Sequence, residues 1–549
     1  MDSPGDAYYK RRMKRFHVLI LALFALFAVL YNLLVWDGNS PYIFLTSDAA
    51  NNASFAAAMD HPEFFHNDAM LGDPANYQYY RILLLPLIRW LAPLVGDYGT
   101  AHNVLIAPFM FLHLAGFYLF GLVLLRDKRW AAVLSVLSLA PISVGFTFWG
   151  AYRAPLSRVL FQSFLPFVLA GAVQWRNRPK LWPLVLFAAG LLMNVHSIST
   201  PAVGFGLWCG FLLFLPGEWS LARKLVHMLL CGLAFLLAVA PFTLNYFGHS
   251  APPVPPGQYA ELYTAMMARF EPAYVDIRYA LVDFFKPAML VLLVAAGISI
   301  RYLLKVRPQD KKLVWVFVAW AAGILFVSLG LTGAEQVLAR LHSTLPHKGQ
   351  MVRGVRFLIP FSLILAAWAL RELSLKQQSA RAAKWIFILL VLATMGAWTE
   401  NMVKRTRDLR QGYFFTMKSE EKDFVAMLDA IREDTPQGAR FLALPSKDML
   451  PVRYYALRPL VHAWKDGGIV GFASNEAMLK WWEQDKEIRR IEALESPGER
   501  MAQWIAFARS LDAEYLLMKT KMPESAIQDE HATEMIRNPS YVLFQLAGS

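Results

Sequence analysis

Cysteine is nearly absent from this 549-residue chain: only Cys209 and Cys231 occur, both inside apolar runs. That excludes a disulfide framework. No CxxC or HExxH motif is present, so the common zinc and thiol-redox sites are excluded as well. Charge is scarce, at 17% of residues against 56% hydrophobic, and the mean hydropathy is +0.36. A soluble enzyme does not have that balance; a polytopic membrane protein does. No internal repeat is visible. The first polar loop holds no tight Asp-x-Asp or Asp-Glu pair, the usual mark of a divalent-cation site.

What charge there is follows a pattern. Basic clusters lie at Lys10–Arg15, Arg126–Arg129, Arg176–Lys180, Arg223–Lys224, Arg301–Lys312 and Arg371–Lys384. They account for the whole net charge of +13, so the surplus is topological and nucleic-acid binding is not expected. Between them lie about eleven apolar runs of roughly the ~20 residues a hydrocarbon core demands. The first, near 17–35, reads as a retained helix and not a cleaved leader. The others fall near 102–125, 131–148, 159–174, 181–195, 201–216, 225–247, 287–304, 313–332, 355–370 and 385–399. The positive-inside rule then puts the N-terminus in the cytoplasm and long loops at 36–101, 248–286 and 333–350 outside. Tyr80–Val95 is apolar but short, with Arg81, Arg89, Pro86 and Pro93, and suits a helix lying in the interface.

The expected fold is mainly α: a transmembrane bundle over 1–410 followed by a small α/β domain over 411–549. Its strands are predicted at 440–444, 460–464, 514–518 and 541–546. The short cytoplasmic loops and basic bias fit a bacterial inner membrane, and the positive-inside rule then expects this last domain on the periplasmic side.

Chemically useful side chains gather on the outer side. Asp48, Asp60, Asp68 and Asp73 populate the first loop. A carboxylate there could deprotonate a hydroxyl or hold a cation; equally, Asp48 could cap a helix over 49–59 and Asp68 could sit in a turn. Arg153 and Arg158, His196, and Lys348, Arg353 and Arg356 come from three other outer hairpins. Arginine pairs with phosphate oxygens through two parallel donors, so the set suits a lipid phosphate. Arginines that merely snorkel from helix ends are the alternative. Trp464-Lys465-Asp466-Gly467-Gly468 follows a predicted strand, where α/β layers often bind ligands, whereas Trp481 and Trp482 read as core.

The arrangement resembles the GT-C class of membrane glycosyltransferases, and similar uncharacterised bacterial multi-pass proteins. The likeness rests on the acid-bearing first loop with Phe64–Met70 (FFHNDAM), Asn194-Val195-His196, and Arg353–Phe357 (RGVRF). It implies transfer of a sugar from a polyprenyl-phosphate-linked donor to a glycan, lipid or protein acceptor on the periplasmic face, with inversion. Carried over, Asp48 would be the base or metal-binding acid and Asp68 a second carboxylate. Arg353, Arg356 and Lys348 would steady the leaving phosphate. A divalent cation, Mg or Mn, stays open as a cofactor. The competing readings are an envelope polysaccharide transporter or flippase and a non-catalytic assembly partner.

Overall fold

The structure, a computed structural model, describes residues 4–35, 41–45, 48–145, 147–150, 154–247, 256–341, 350–376, scattered positions between 380 and 392, and 417–547. It is mainly helical. Among the described residues six helices are long and apolar enough to cross a membrane: Arg15–Leu33, Tyr98–Leu125, Leu221–Tyr246, Pro287–Val306, Pro308–Leu341 and Met351–Ser374. Shorter apolar helices cover Leu84–Val95, Pro179–Asn194 and Thr200–Leu212. The expected span at 385–399 lies largely outside the described residues.

The long helices are apolar on faces that touch no protein. Leu229, Leu236, Leu237 and Leu244, and Val291, Val294 and Ile298, are each at least 60% exposed. Rows of exposed leucine and valine this long have no place in water, and they mark the lipid-facing perimeter of a multi-pass membrane protein.

One expected span is not a span. The helix in 131–148 stops at Ser138, and Pro141 follows. A hairpin takes over, with β1 (Ile142–Val144) paired antiparallel to β2 (Thr147–Trp149). Proline disfavours helix in the residue before it, and β-branched Ile142, Val144 and Thr147 favour the strand. Trp149 is fully buried, and its indole N–H donates to the Ser138 carbonyl at 2.8 Å.

Short Tyr80–Val95 behaves as its length dictates, with only Leu84–Val95 helical. Arg89 does not snorkel freely: its Nε donates to Asp60 at 2.5 Å, and Tyr98 donates to the other oxygen of that carboxylate at 3.0 Å. Trp90 and Leu94, each 68% exposed, form its open face.

Helices pack through small residues. A Cβ on Gly323 would lie 2.7 Å from the Cα of Gly206, and one on Gly206 would lie 2.9 Å from the Trp320 carbonyl. The helices Thr200–Leu212 and Lys311–Leu325 therefore meet backbone to backbone. Gly323→Leu is expected to cost about 1–3 kcal/mol from overpacking. Gly297→Leu, where nothing lies within 4 Å, should leave the thermal unfolding midpoint in detergent unchanged.

The helix ends sort by charge. Lys128 lies over the Phe16 ring at 4.6 Å, and Arg307 approaches Glu372 at 4.0 Å. Ends bearing the basic clusters thus meet one another, as the charge pattern expects.

From Ser419 on, helices Ser419–Asp434, Asn475–Glu492 and Pro497–Ser510 accompany a four-stranded sheet. Its strands are β3 (Phe441–Ala443), β4 (Tyr515–Lys519), β5 (Ala532–Arg537) and β6 (Tyr541–Leu546), in the order β3-β4-β6-β5, with only β3–β4 parallel. The strand expected at 460–464 is reduced to a single bridge, Phe441 to Leu460. Edge strand β5 escaped the sequence reading because its ATEMIR run is mostly exposed and polar.

Candidate functional site

Helix Asp48–Asp60 carries DAANNASFAAAMD, and ten of its residues, Ala49 to Ala58, are buried. Alanine gives it helix propensity without bulk, so it threads between neighbours and brings its first residue inward. Asp48 sits at the positive end of that helix. It lines an open cavity. Its side chain is 46% exposed there.

Arg158, His196 and Arg353 line the same cavity. Four segments far apart in sequence, each at or beside a helix end, meet here. Arg158 opens the helix Ser157–Gln174; its Nη1 lies 3.7 Å from Asp48 Oδ2, an ion pair too long for a hydrogen bond. Its guanidinium covers the Phe148 ring at 4.2 Å, so the unexpected hairpin props it. Arg353 stacks on Tyr274 at 3.9 Å. Gly354 next to it packs on Ser328 and Ala202, where a Cβ would be 2.4 Å from the Ser328 oxygen. Ser328 lies in a π-helical segment, Phe326–Leu331, so a local widening of that helix accepts the Arg353 turn. His196 Nδ1 pairs with Ser199 Oγ at 2.8 Å. Burial, then Arg356, Arg353 and Arg158, push its pKa well below the ordinary range, which keeps the ring neutral.

Arg356 does not line the cavity. It is buried behind Arg353, donating from Nε to the Arg353 carbonyl at 3.0 Å. Arg153 and Lys348 lie outside the described residues.

Asp68, expected as the second carboxylate, is placed elsewhere. Its oxygens accept from Met70 N, Leu71 N, Leu460 N and two nitrogens of Arg453, at 2.7–2.9 Å. Both Asp68 and Arg453 side chains are 0% exposed. A carboxylate so saturated has no lone pair left for a substrate proton, so Asp68 is a structural joint.

The cavity also holds Arg269 and Glu271, which the sequence reading left aside, and Lys465 from the 464–468 segment that it named as a candidate ligand-binding loop. Arg269 stacks on Trp464 at 4.1 Å and donates to the Lys465 carbonyl at 3.3 Å. Gly468 makes room for it: a Cβ there would meet Arg269 Nη2 at 2.4 Å. The available signal was that Arg269 and Lys465 are cations outside the topological clusters. Trp481 is core as expected, donating to the Ala463 carbonyl.

Around Asp48, then, stand Arg158, Arg269, Arg353 and Lys465, against one further acid, Glu271. Arg158, Arg269 and Arg353 each keep a buried Nε that meets no hydrogen-bond partner. Asp48 pairs with Arg158, and an anion in the cavity would satisfy these open donors. Burial pushes the Asp48 carboxyl up, but Arg158, Lys465, Arg353 and Arg269 together bring it below its ordinary pKa. Lys465 moves down: burial outweighs the attraction of Asp48. Among the described residues no three His, Cys, Asp or Glu side chains converge, and Asp48 is already surrounded by positive charge.

No family model matches the chain, and no curated protein does. Among solved structures, the crystal structure of ArnT from Cupriavidus metallidurans bound to undecaprenyl phosphate aligns over 96% of this chain and 97% of that one, at 13% identity and a TM-score of 0.43. The apo state of the same ArnT aligns over 97% and 98%, at 14% identity and a TM-score of 0.40.

Proposed function

We propose that this chain is a membrane glycosyltransferase that moves a sugar from a polyprenyl-phosphate-linked donor to an acceptor hydroxyl. The observation that carries the reading is the cavity in which Asp48 faces Arg158, Arg269, Arg353 and Lys465. A carboxylate facing a predominantly cationic lining suits a reaction in which phosphate is the leaving group. The undecaprenyl phosphate bound to ArnT is a lipid of that chemical class.

In the proposed step the acceptor oxygen attacks the anomeric carbon as the bond from that carbon to phosphate oxygen breaks. The electron pair leaves with the lipid phosphate, whose growing charge Arg353 and Arg158 stabilise. The acceptor proton passes to the Asp48 carboxylate. A single displacement inverts the anomeric centre and needs no covalent intermediate. Neutral His196 orients a hydroxyl or phosphate oxygen without adding charge.

The direct test gives the purified protein a polyprenyl-phosphoryl sugar together with extracted envelope glycans and lipids. Release of polyprenyl phosphate coupled to sugar incorporation is expected; flux across proteoliposomes with no such release would leave a transporter instead.

The proposed setting is a bacterial inner membrane, with the cavity and the soluble 411–549 domain on the periplasmic side. Only Cys209 and Cys231 compete for thiol labels, and both lie in apolar helices. Glu530→Cys, at a side chain 87% exposed, should therefore react with an impermeant maleimide added to intact spheroplasts. Labelling only after lysis would reverse the orientation.

A further inference from the structure

Loop residues 463–468 deliver Lys465 to the cavity, and they are held from four directions. Asp466 receives two hydrogen bonds from Arg453, at 2.6 and 2.9 Å. The Ala463 carbonyl accepts from Trp481 at 3.2 Å, and the Lys465 carbonyl from Arg269 at 3.3 Å. Gly467 lies flat on Trp481, where a Cβ would meet the indole at 2.4 Å.

Arg453 is the centre of this arrangement. It is wholly buried between two carboxylates, Asp68 from the first loop and Asp466 from the C-terminal layer. Asp68 also accepts from Leu460 N, and Ala69 N donates to the Leu460 carbonyl at 3.1 Å. The first loop, which bears Asp48, is thus tied through one guanidinium to the loop that bears Lys465. Both carboxylates are gripped by paired donors, a geometry that fixes orientation as well as distance.

We propose that Lys465 is a phosphate-binding residue of the cavity, and that Asp68–Arg453–Asp466 is the device that positions it. The C-terminal layer is then a working part of the site. This rests on the glycosyltransferase reading above. Lys465 contacts the donor phosphate, and Arg453 acts through Asp466 on Lys465 without touching the ligand.

The test measures undecaprenyl phosphate binding to the full chain in detergent. Lys465→Met should weaken it about 10- to 100-fold, the worth of one charge-assisted contact, and Lys465→Arg should recover most of the loss. Arg453→Lys, which keeps a buried cation but loses the paired grip, should weaken binding in the native background and add almost nothing in the Lys465→Met background. A general structural role would instead add in both backgrounds, and that result overturns the positioning claim. Should Arg453→Lys not fold, Asp466→Asn loosens only the loop half of the joint and takes the same additivity test. Native affinity in Lys465→Met beside lost affinity in Arg353→Met removes Lys465 from the site and leaves the glycosyltransferase reading intact. Native affinity in both removes that reading as well.

Discussion

Asp48→Asn is expected to slow sugar transfer roughly 10²- to 10⁴-fold, the usual contribution of a positioned general base, while undecaprenyl phosphate binds as well as before or more tightly. The two effects diverge for an electrostatic reason. The carboxylate is a negative charge inside a cavity lined by Arg158, Arg269, Arg353 and Lys465. Asparagine keeps the shape, removes the proton acceptor, and leaves the cations less compensated, so an anionic ligand gains. If transfer and binding fell together, Asp48 would be a helix-end structural group and not a base.

The pH dependence sharpens this. In the free protein, burial raises the Asp48 pKa, and Arg158, Lys465, Arg353 and Arg269 outweigh it, so the net shift is downward. The carboxylate therefore stays charged to pH values below the ordinary carboxylate range, and the acid limb of kcat/KM should lie there. Bound phosphate cancels part of the cationic field and so raises the pKa. The acid limb of kcat, which reports the complex, should lie at higher pH than that of kcat/KM. Coincident limbs would mean that the bound phosphate does not share the field that acts on Asp48.

Proximity was partly legible in the sequence, because the alternation of basic clusters and apolar runs assigns loop residues to a common side. Asp48, Arg158, His196 and Arg353, which that alternation puts on one side, line one cavity. Pairing was not legible. Asp68 looked as available as Asp48, and nothing near it announces a partner 385 residues away. Arg453 and Asp466 are separated by only 13 residues, yet their contact with the first loop depends on tertiary docking. Arg269 was hidden for the same reason: its meeting with Trp464 joins the end of the helix Tyr259–Arg269 to the loop that bears Lys465. The misread span at 131–148 had a different cause. Its composition is as apolar as a span's, and only Pro141 with the β-branched residues beyond it discloses the hairpin.

Arg453→Met is expected to be the most destabilising single change in the C-terminal layer, costing roughly 3–5 kcal/mol, because it strands buried charge without a partner. Asp68 and Asp466, side chains 0% and 5% exposed, would lose the cation between them. Their remaining donors cannot neutralise two charges: Asp68 keeps Met70, Leu71 and Leu460 N–H groups only. In the native protein the two carboxylates hold the Arg453 pKa above the ordinary range despite burial. Adding Asp466→Asn to Arg453→Met removes one of the stranded charges and should restore part of the thermal midpoint. A double variant no more stable than Arg453→Met would show that the lost energy is packing volume and not charge.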